Sequence, residues 1–308
     1  MSQFESEELL DNYLAKIEAI FPASDILEQQ ITRSFIRDYY TDSNFAYKLF
    51  HSKEGSVHMA LNGDGRYDAD GYYGQARAAK ELIEAKGAAC RVLELGCGKG
   101  FNSIFLAGEK PDSTFDAIDL TPEFLNEAKN KSNHLPNVAF RLGDFHELPF
   151  EDNTYDVVFG VETVCHASDF DRVFREVYRV LKPGGQFLLF DGYRQPGFSR
   201  LDARLIKAAR LVEITMAVED SPEIDKLLEM TTKIGFETLV CEDISQDILP
   251  NLIKFEHLAL RFFKRKWLAK LIFRLFPPHL VKNSVAGLLM PITIRENAQG
   301  YYKLVFRK

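Results

Sequence analysis

The chain predicts an α/β protein built on one doubly wound sheet of seven strands, with a helical amino-terminal extension and an apolar helical cap inserted before the last strand. Three observations carry this. The run Val92-Leu93-Glu94-Leu95 ends abruptly in Gly96-Cys97-Gly98-Lys99-Gly100, a strand that turns into a loop whose glycines accept positive φ and admit a ligand against bare backbone. About twenty residues later Phe115-Asp116-Ala117-Ile118-Asp119-Leu120 is a second strand ending in an acid, where such folds place a carboxylate on ribose hydroxyls. Strand-like and helix-like patterns then alternate to the carboxyl end, which makes the sheet Rossmann-like.

The elements follow in order. Leu9, Leu10, Leu14, Ile17 and Ile20 recur at helical spacing and predict an amphipathic helix that serves as packing surface. An aromatic stretch from Tyr39 to Phe50 follows. The glycine loop is no phosphate-binding loop: Phe101 breaks G-x-G-x-x-G, and Lys99-Gly100-Phe101 lacks the Ser/Thr of a Walker loop. Thr121-Pro122 opens a helix with an N-cap and a first-turn proline. Val138–Leu142 is the third strand and runs into Gly143-Asp144-Phe145. Tyr155–Val161 is apolar almost throughout, as a buried parallel strand is. A helix over 170–180 stops at Leu181-Lys182-Pro183-Gly184-Gly185, and Gln186–Phe190 is the fifth strand. Helices at 201–216 and 224–234, a sixth strand at 236–241, an apolar insertion to about Gln299 and a seventh strand at 301–306 complete the chain. The expected division is an extension over 1–80 and the main domain over 81–308, with helical lid insertions at about 196–235 and 245–299.

A net charge of −7 over 308 residues gives no basic field for nucleic acid. Cys90, Cys97, Cys165 and Cys241 have neither paired nor zinc-ligand spacing and read as reduced thiols, so no metal is expected. No apolar run approaches the 18 or so residues of a spanning helix and no secretory signal is evident; the expected location is the cytoplasm, free or at a membrane surface.

The segment 92–100 resembles the first motif of class I S-adenosylmethionine-dependent methyltransferases, and the later landmarks agree with it in order and spacing. The resemblance implies that Gly96, Cys97, Gly98 and Gly100 hold the amino-acid end of the cofactor and that Glu94 organises its ammonium. It implies further that Asp119 meets the ribose, that Asp144 accepts from the exocyclic amine and that Phe145 packs on the base, with Leu120 and Glu162 also among the cofactor-binding residues.

Two patches resemble sterol C-24 methyltransferases. One is Tyr39-Tyr40, the aromatic run through Phe45 and Tyr47, and His58; the other is Val161-Glu162-Thr163-Val164-Cys165-His166-Ala167 with Tyr178–Gly184. The implied reaction transfers methyl to a carbon of a sterol, isoprenoid or similar lipid. An alkene attacking the methyl leaves a cation, which Tyr39, Tyr40, Phe45 and Tyr47 suit by their ring faces, and a proton that His58, His166 or Glu162 would take. Glu162 could instead orient His166. The family's tyrosine-glutamate-tyrosine-glycine is Phe45-Ala46-Tyr47-Lys48 in this chain, a lost carboxylate. Methylation of oxygen or nitrogen on a polyketide, quinone or phospholipid-head-group precursor is the alternative within the class, and a non-catalytic cofactor-binding scaffold the alternative outside it.

A helix at 258–276 carries Arg261, Lys264, Arg265, Lys266, Lys270 and Arg274 with no acid. Trp267, Leu268, Leu271, Ile272, Leu275 and Phe276 share one arc, with Lys266, Lys270 and Arg274 off it. Peripheral contact with anionic lipid and a cap over a pocket or a homodimer partner both fit this pattern. The apolar segment 284–291 suits a lid over a greasy acceptor.

Overall fold

In the computed structural model, residues 3–46, 52, 55–87 and 89–308 are described. Strands β1 (Arg91–Leu95), β2 (Thr114–Asp119), β3 (Val138–Leu142), β4 (Tyr155–Val161), β5 (Leu181–Arg194), β6 (Glu237–Asp243) and β7 (Gln299–Arg307) form one sheet in the order β3-β2-β1-β4-β5-β7-β6. The first five are parallel and β7 runs antiparallel between β5 and β6. Val92, Leu93, Leu95, Val157, Val158 and Phe159 are fully buried, which is why these strands read as continuous apolar runs. Chain order reverses between β1 and β4, and the crevice at their carboxyl ends is where ligands sit in open α/β sheets. Strand β5 is longer than its apolar run suggests. It pairs with β7 from Gln186↔Arg307 to Arg194↔Gln299, so backbone bonding carries it past the hydrophobic segment.

The helices in chain order are α1 (Gln3–Glu18), α2 (Ala23–Leu27), α3 (Arg33–Ala46), α4 (Gly74–Ala85), α5 (Phe101–Glu109), α6 (Pro122–Lys131), α7 (Phe170–Val180), α8 (Ala203–Thr215), α9 (Ile224–Ile234), α10 (Ser245–Phe263), α11 (Lys266–Leu275) and α12 (Pro278–Arg295). Helix α4 packs Ala76, Ala79 and Ile83 against Val92 and Phe159 of the sheet, so the sheet layer takes in chain from Gly74, ahead of residue 81. Helix α9 likewise belongs to the sheet layer and not to a lid, because Ile224 and Leu227 are buried with Phe174, Phe187 and Phe306.

A second core forms the cap. Leu10, Tyr13 and Ile17 of α1 pack with Leu205 and Val212 of α8 and with Val285, Leu288 and Ile292 of α12. The Tyr13 hydroxyl donates to Glu256 of α10 at 2.8 Å, tying the first helix to the late insertion. The single helix expected over 258–276 is two: α10 ends at Phe263, and Arg265 is extended (φ −121°, ψ 91°). The break has a packing cause. Phe21 lies 6.2 Å from Phe263 and 4.9 Å from Phe273, edge to face with both, whereas a straight helix would hold those two about 15 Å apart along its axis.

Candidate active site

The carboxyl ends of β1, β2, β3 and β4 open into one cleft, whose wall includes Gly96, Gly98, Asp119, Leu120, Asp144, Phe145, Glu162 and His166. At Gly96 φ is +59° and an added Cβ would stand 1.7 Å from Thr163 Oγ1, so only glycine lets the β1 loop pass the β4 loop. Asp119 accepts from the Gly98 N–H and the Thr121 N–H, each at 2.8 Å, and burial pushes its carboxyl up. Each oxygen keeps a lone pair for a further donor such as a hydroxyl. Asp144 accepts from the His146 N–H at 2.9 Å and the His146 ring at 2.7 Å, and pairs with Arg33 at 2.8 Å. Burial alone would raise this carboxyl; His146 and Arg33 together outweigh it and hold it below the usual range. Phe145 is buried beside His146, ring centres 4.8 Å apart.

Three expected cofactor residues stand behind the wall and not on it. Glu94 is buried and accepts from Asn102 at 3.1 Å and from the N–H and hydroxyl of Ser103, which pins the start of α5 under the glycine loop. Burial raises its carboxyl to about 7 against the pull of those bonds. Cys97 is buried and fixes the loop by donating its N–H to Ile118 O of β2 at 2.9 Å. Gly100 (φ +77°) leads into α5 where a Cβ would meet Phe140 at 2.7 Å. These residues shape the loop; Gly96 and Gly98 face the ligand space.

Glu162 sits just beyond β4 with φ +48°, a left-handed conformation that a non-glycine residue holds only under constraint. The constraint is visible: its Oε1 accepts from the Met59 N–H at 2.7 Å and the Tyr301 hydroxyl at 3.0 Å. Burial lifts its carboxyl to about 8, so at neutral pH it is chiefly protonated. Asp191, fully buried below the loop, takes the Cys165 N–H at 2.9 Å and sets the turn that carries His166.

His166 Nδ1 lies 2.9 Å from Ala217 O and Nε2 2.7 Å from the Tyr40 hydroxyl. A carbonyl only accepts, so Nδ1 carries the proton. Burial keeps the ring neutral by lowering its pKa. Nε2 therefore accepts, and Tyr40 donates to it. His58 is elsewhere. It is buried between Tyr72 and Phe101, with Nδ1 3.2 Å from Met59 O, while its neighbours Val57 and Met59 do the lining. Desolvation lowers its pKa to about 4, and this placement favours packing over proton transfer. Tyr47 and the Phe45 side chain lie outside the described residues.

Beyond Val57 a second cavity, of about 590 Å3, opens between α3, α10, α11 and α12. Its wall is apolar, with Met59, Met216, Phe255, Phe262 and Met290 prominent and Arg261 the one charged residue among those described. Tyr39 faces this cavity and Tyr40 faces the cleft, their rings edge to face at 5.0 Å. The segment 284–291, expected as a lid, turns Val285, Leu288 and Leu289 into the cap core and Ser284, Gly287 and Met290 toward the cavity.

Arg33, His146, Thr163 and Val57 were not singled out from sequence. The adjacency of His146 to Gly143-Asp144-Phe145 is a usable signal. Arg33 meets Asp144 across 111 positions and leaves none.

The donor set of the cleft suits S-adenosylmethionine: bare backbone at Gly96 and Gly98, a carboxylate at Asp119 for a diol, and Asp144 beside the flat ring of Phe145 for a base. Asp119, Asp144 and Glu219 set three carboxylates on its wall against Arg33 and Arg37 at one side, while Glu162 is neutral, a balance that favours a cation.

Comparison with known proteins agrees. A family described as "Methyltransferase domain" matches residues 93–189. The sterol 24-C-methyltransferase of Kluyveromyces lactis is 31% identical over 118 residues, 38% of this chain but only 32% of that protein's length. A putative sarcosine dimethylglycine methyltransferase from Galdieria sulphuraria superposes with a TM-score of 0.70 at 20% identity, covering 87% of this chain and 98% of that one. Geranyl diphosphate C-methyltransferase from Streptomyces coelicolor gives 0.64 at 14% identity, covering 89% and 96%. Domain and fold therefore concur: the chain carries a class I S-adenosylmethionine-dependent methyltransferase domain that resembles the sterol 24-C-methyltransferases.

Proposed function

We propose that this protein transfers a methyl group from S-adenosylmethionine to a carbon of an uncharged, hydrophobic small molecule of sterol or isoprenoid type. The observation that carries the reading is the junction at Val57, which lines both the polar cleft and the apolar cavity, with Tyr39 and Tyr40 of α3 divided between them. When bound, the cofactor supplies an electrophilic methyl on positive sulfur.

The chain's own groups have separable tasks. The apolar wall of the cavity takes the body of the acceptor out of water and orients it, an entropic advantage of up to roughly 7–11 kcal/mol in favourable cases. The rings of Tyr39 and Tyr40, with Phe124 6.3 Å from Tyr40, offer π faces to positive charge developing on the acceptor. Tyr40 and His166 form a relay for the departing proton. The phenol oxygen takes it from carbon as the phenol's own proton moves to His166 Nε2, and the Ala217 carbonyl stabilises the imidazolium through Nδ1–H. Protonated Glu162 keeps Met59 and Tyr301 in place without adding a nucleophilic carboxylate beside the cation.

The test is mass spectrometry of a lipid extract incubated with the protein and trideuteromethyl cofactor. A labelled neutral, nitrogen-free lipid whose trideuteromethyl group survives both saponification and ether cleavage with hydriodic acid supports carbon transfer. Label confined to a hydrolysable ester points to oxygen methylation, and no labelled lipid at all refutes the reading. An acceptor analogue with ammonium in place of the cationic carbon is expected to inhibit.

A further inference from the structure

Helix α11, with Phe276 just past its end, presents three parallel stripes, each repeating every four residues. Trp267, Leu271 and Leu275 face outward, 67%, 44% and 69% exposed. One position before each stands a base: Lys266, Lys270 and Arg274, all exposed. One position after each stands a residue of the apolar cavity wall: Leu268, Ile272 and Phe276. Successive positions on a helix differ by about 100°, so the outward apolar stripe is flanked by cations on one side and by the cavity on the other. Phe276 both lines the cavity and is 47% exposed, which puts it at the rim. The remaining exposed large apolar side chains of the described residues, Phe4, Tyr67, Leu142 and Leu239, are scattered singly elsewhere.

Charge decides what covers this face. The chain has net charge −7, yet no Asp or Glu occurs between Glu256 and Glu296. Arg261, Lys264 and Arg265 join the three bases of α11, and none of the six forms an ion pair among the described residues. No helix among the described residues is long and apolar enough to cross a bilayer, and α11 is about 15 Å long, so it can lie on a surface but not span one.

We propose that α11 docks the protein on an anionic lipid bilayer, with Trp267, Leu271 and Leu275 inserted at the head-group boundary and the rim at Phe276 opening the cavity toward the membrane. Docking stands on the surface alone; delivery of the acceptor straight from the bilayer rests on the function proposed above. Apolar burial supplies depth and the bases supply selectivity for anionic lipid. Tryptophan suits the boundary because its ring is apolar and its N–H polar.

The protein contains a single tryptophan, so Trp267 reports its own environment. Phosphatidylcholine vesicles with and without phosphatidylserine are added to the full chain without cofactor or acceptor. The expected result is a blue shift of tryptophan emission with anionic vesicles, quenching by brominated acyl chains and co-flotation, all weakened by salt. Replacing Lys266, Lys270 and Arg274 together by glutamine reduces partitioning roughly a hundredfold, at about fivefold per base. Leu271→Glu with Leu275→Glu abolishes partitioning while far-ultraviolet circular dichroism and methylation of a detergent-dispersed acceptor stay unchanged. An emission spectrum that anionic vesicles leave alone overturns the proposal, as does a lipid-independent blue shift that tracks dimer formation in sedimentation. Docking without methyl transfer would overturn only the acceptor reading, and methyl transfer without docking only this one.

Discussion

Glu162 links the fold's stability to pH in a way that one substitution isolates. Burial holds its carboxyl at about 8 against an ordinary value of 4.5, with the Met59 and Tyr301 bonds opposing the rise. A pKa higher in the folded than in the unfolded chain means that folding binds the proton. The stability gained is therefore complete below the unfolded value and is lost as pH rises through the folded one, here across about 4.5 to 8. At about 1.4 kcal/mol per unit, a shift of this size corresponds to roughly 5 kcal/mol over the whole titration, of which roughly 4 kcal/mol falls between about pH 5 and about pH 9. Glu162→Gln keeps an amide oxygen for the Met59 N–H and the Tyr301 hydroxyl but cannot ionise. Urea unfolding of both proteins from about pH 5 to about pH 9 is the assay. The natural protein is expected to lose roughly 4 kcal/mol more than the variant between those limits, and the two curves converge at low pH. Parallel curves would refute a protonated Glu162. Glu162→Ala serves as the control: it orphans the buried Met59 N–H and costs about 1–3 kcal/mol at every pH.

Other consequences are as direct. Asp144→Ala removes the acceptor expected for the adenine amine and the partner of Arg33, and isothermal titration should show cofactor affinity lower by about 1.5–3 kcal/mol; unchanged affinity removes that assignment. Gly96→Ala forces a side chain into Thr163 at a positive φ, and a thermal melt with titration is expected to show roughly 2–5 kcal/mol of destabilisation and no measurable cofactor binding. Tyr40→Phe breaks the relay to His166, so kcat should fall about 10²-fold while the cofactor Kd holds. Because burial lowers the His166 pKa, the acid limb of the kcat profile should fall below pH 6.5, and a midpoint above that value would exclude His166 as the proton acceptor.

The amino-terminal extension is tied to the site from several directions. Lys99 of the glycine loop is buried, bonds Asn44 of α3 and lies 5.2 Å from the centre of the Phe124 ring. Arg33 of the same helix spans to Asp144. Helix α3 thus closes the cleft from above while Asn283 of α12 donates to its Ser43 at 2.9 Å from the other side. One helix that holds Tyr39 and Tyr40 is consequently fixed by both the cofactor loop and the cap.

Local chemistry is what the sequence settled by itself. Glycines that must turn, acids that end parallel strands and apolar runs that must be buried are short-range requirements, and Gly96, Asp119 and Tyr155–Val161 follow from them, whereas Asp144 rests on the family resemblance. Long-range pairing was not legible. Nothing near Glu94 says that its oxygens go to Asn102 and Ser103 and not to the cleft, and nothing near His58 says that Tyr72 and Phe101 enclose it. The break between α10 and α11 has no glycine or proline to announce it, because its cause is Phe21, more than 200 residues away. Which side of α11 would face water was equally beyond helical periodicity: a hydrophobic arc shows that a face is apolar, and only the packing of the cap decides that Leu268 and Ile272 turn inward while Trp267 and Leu275 remain outside.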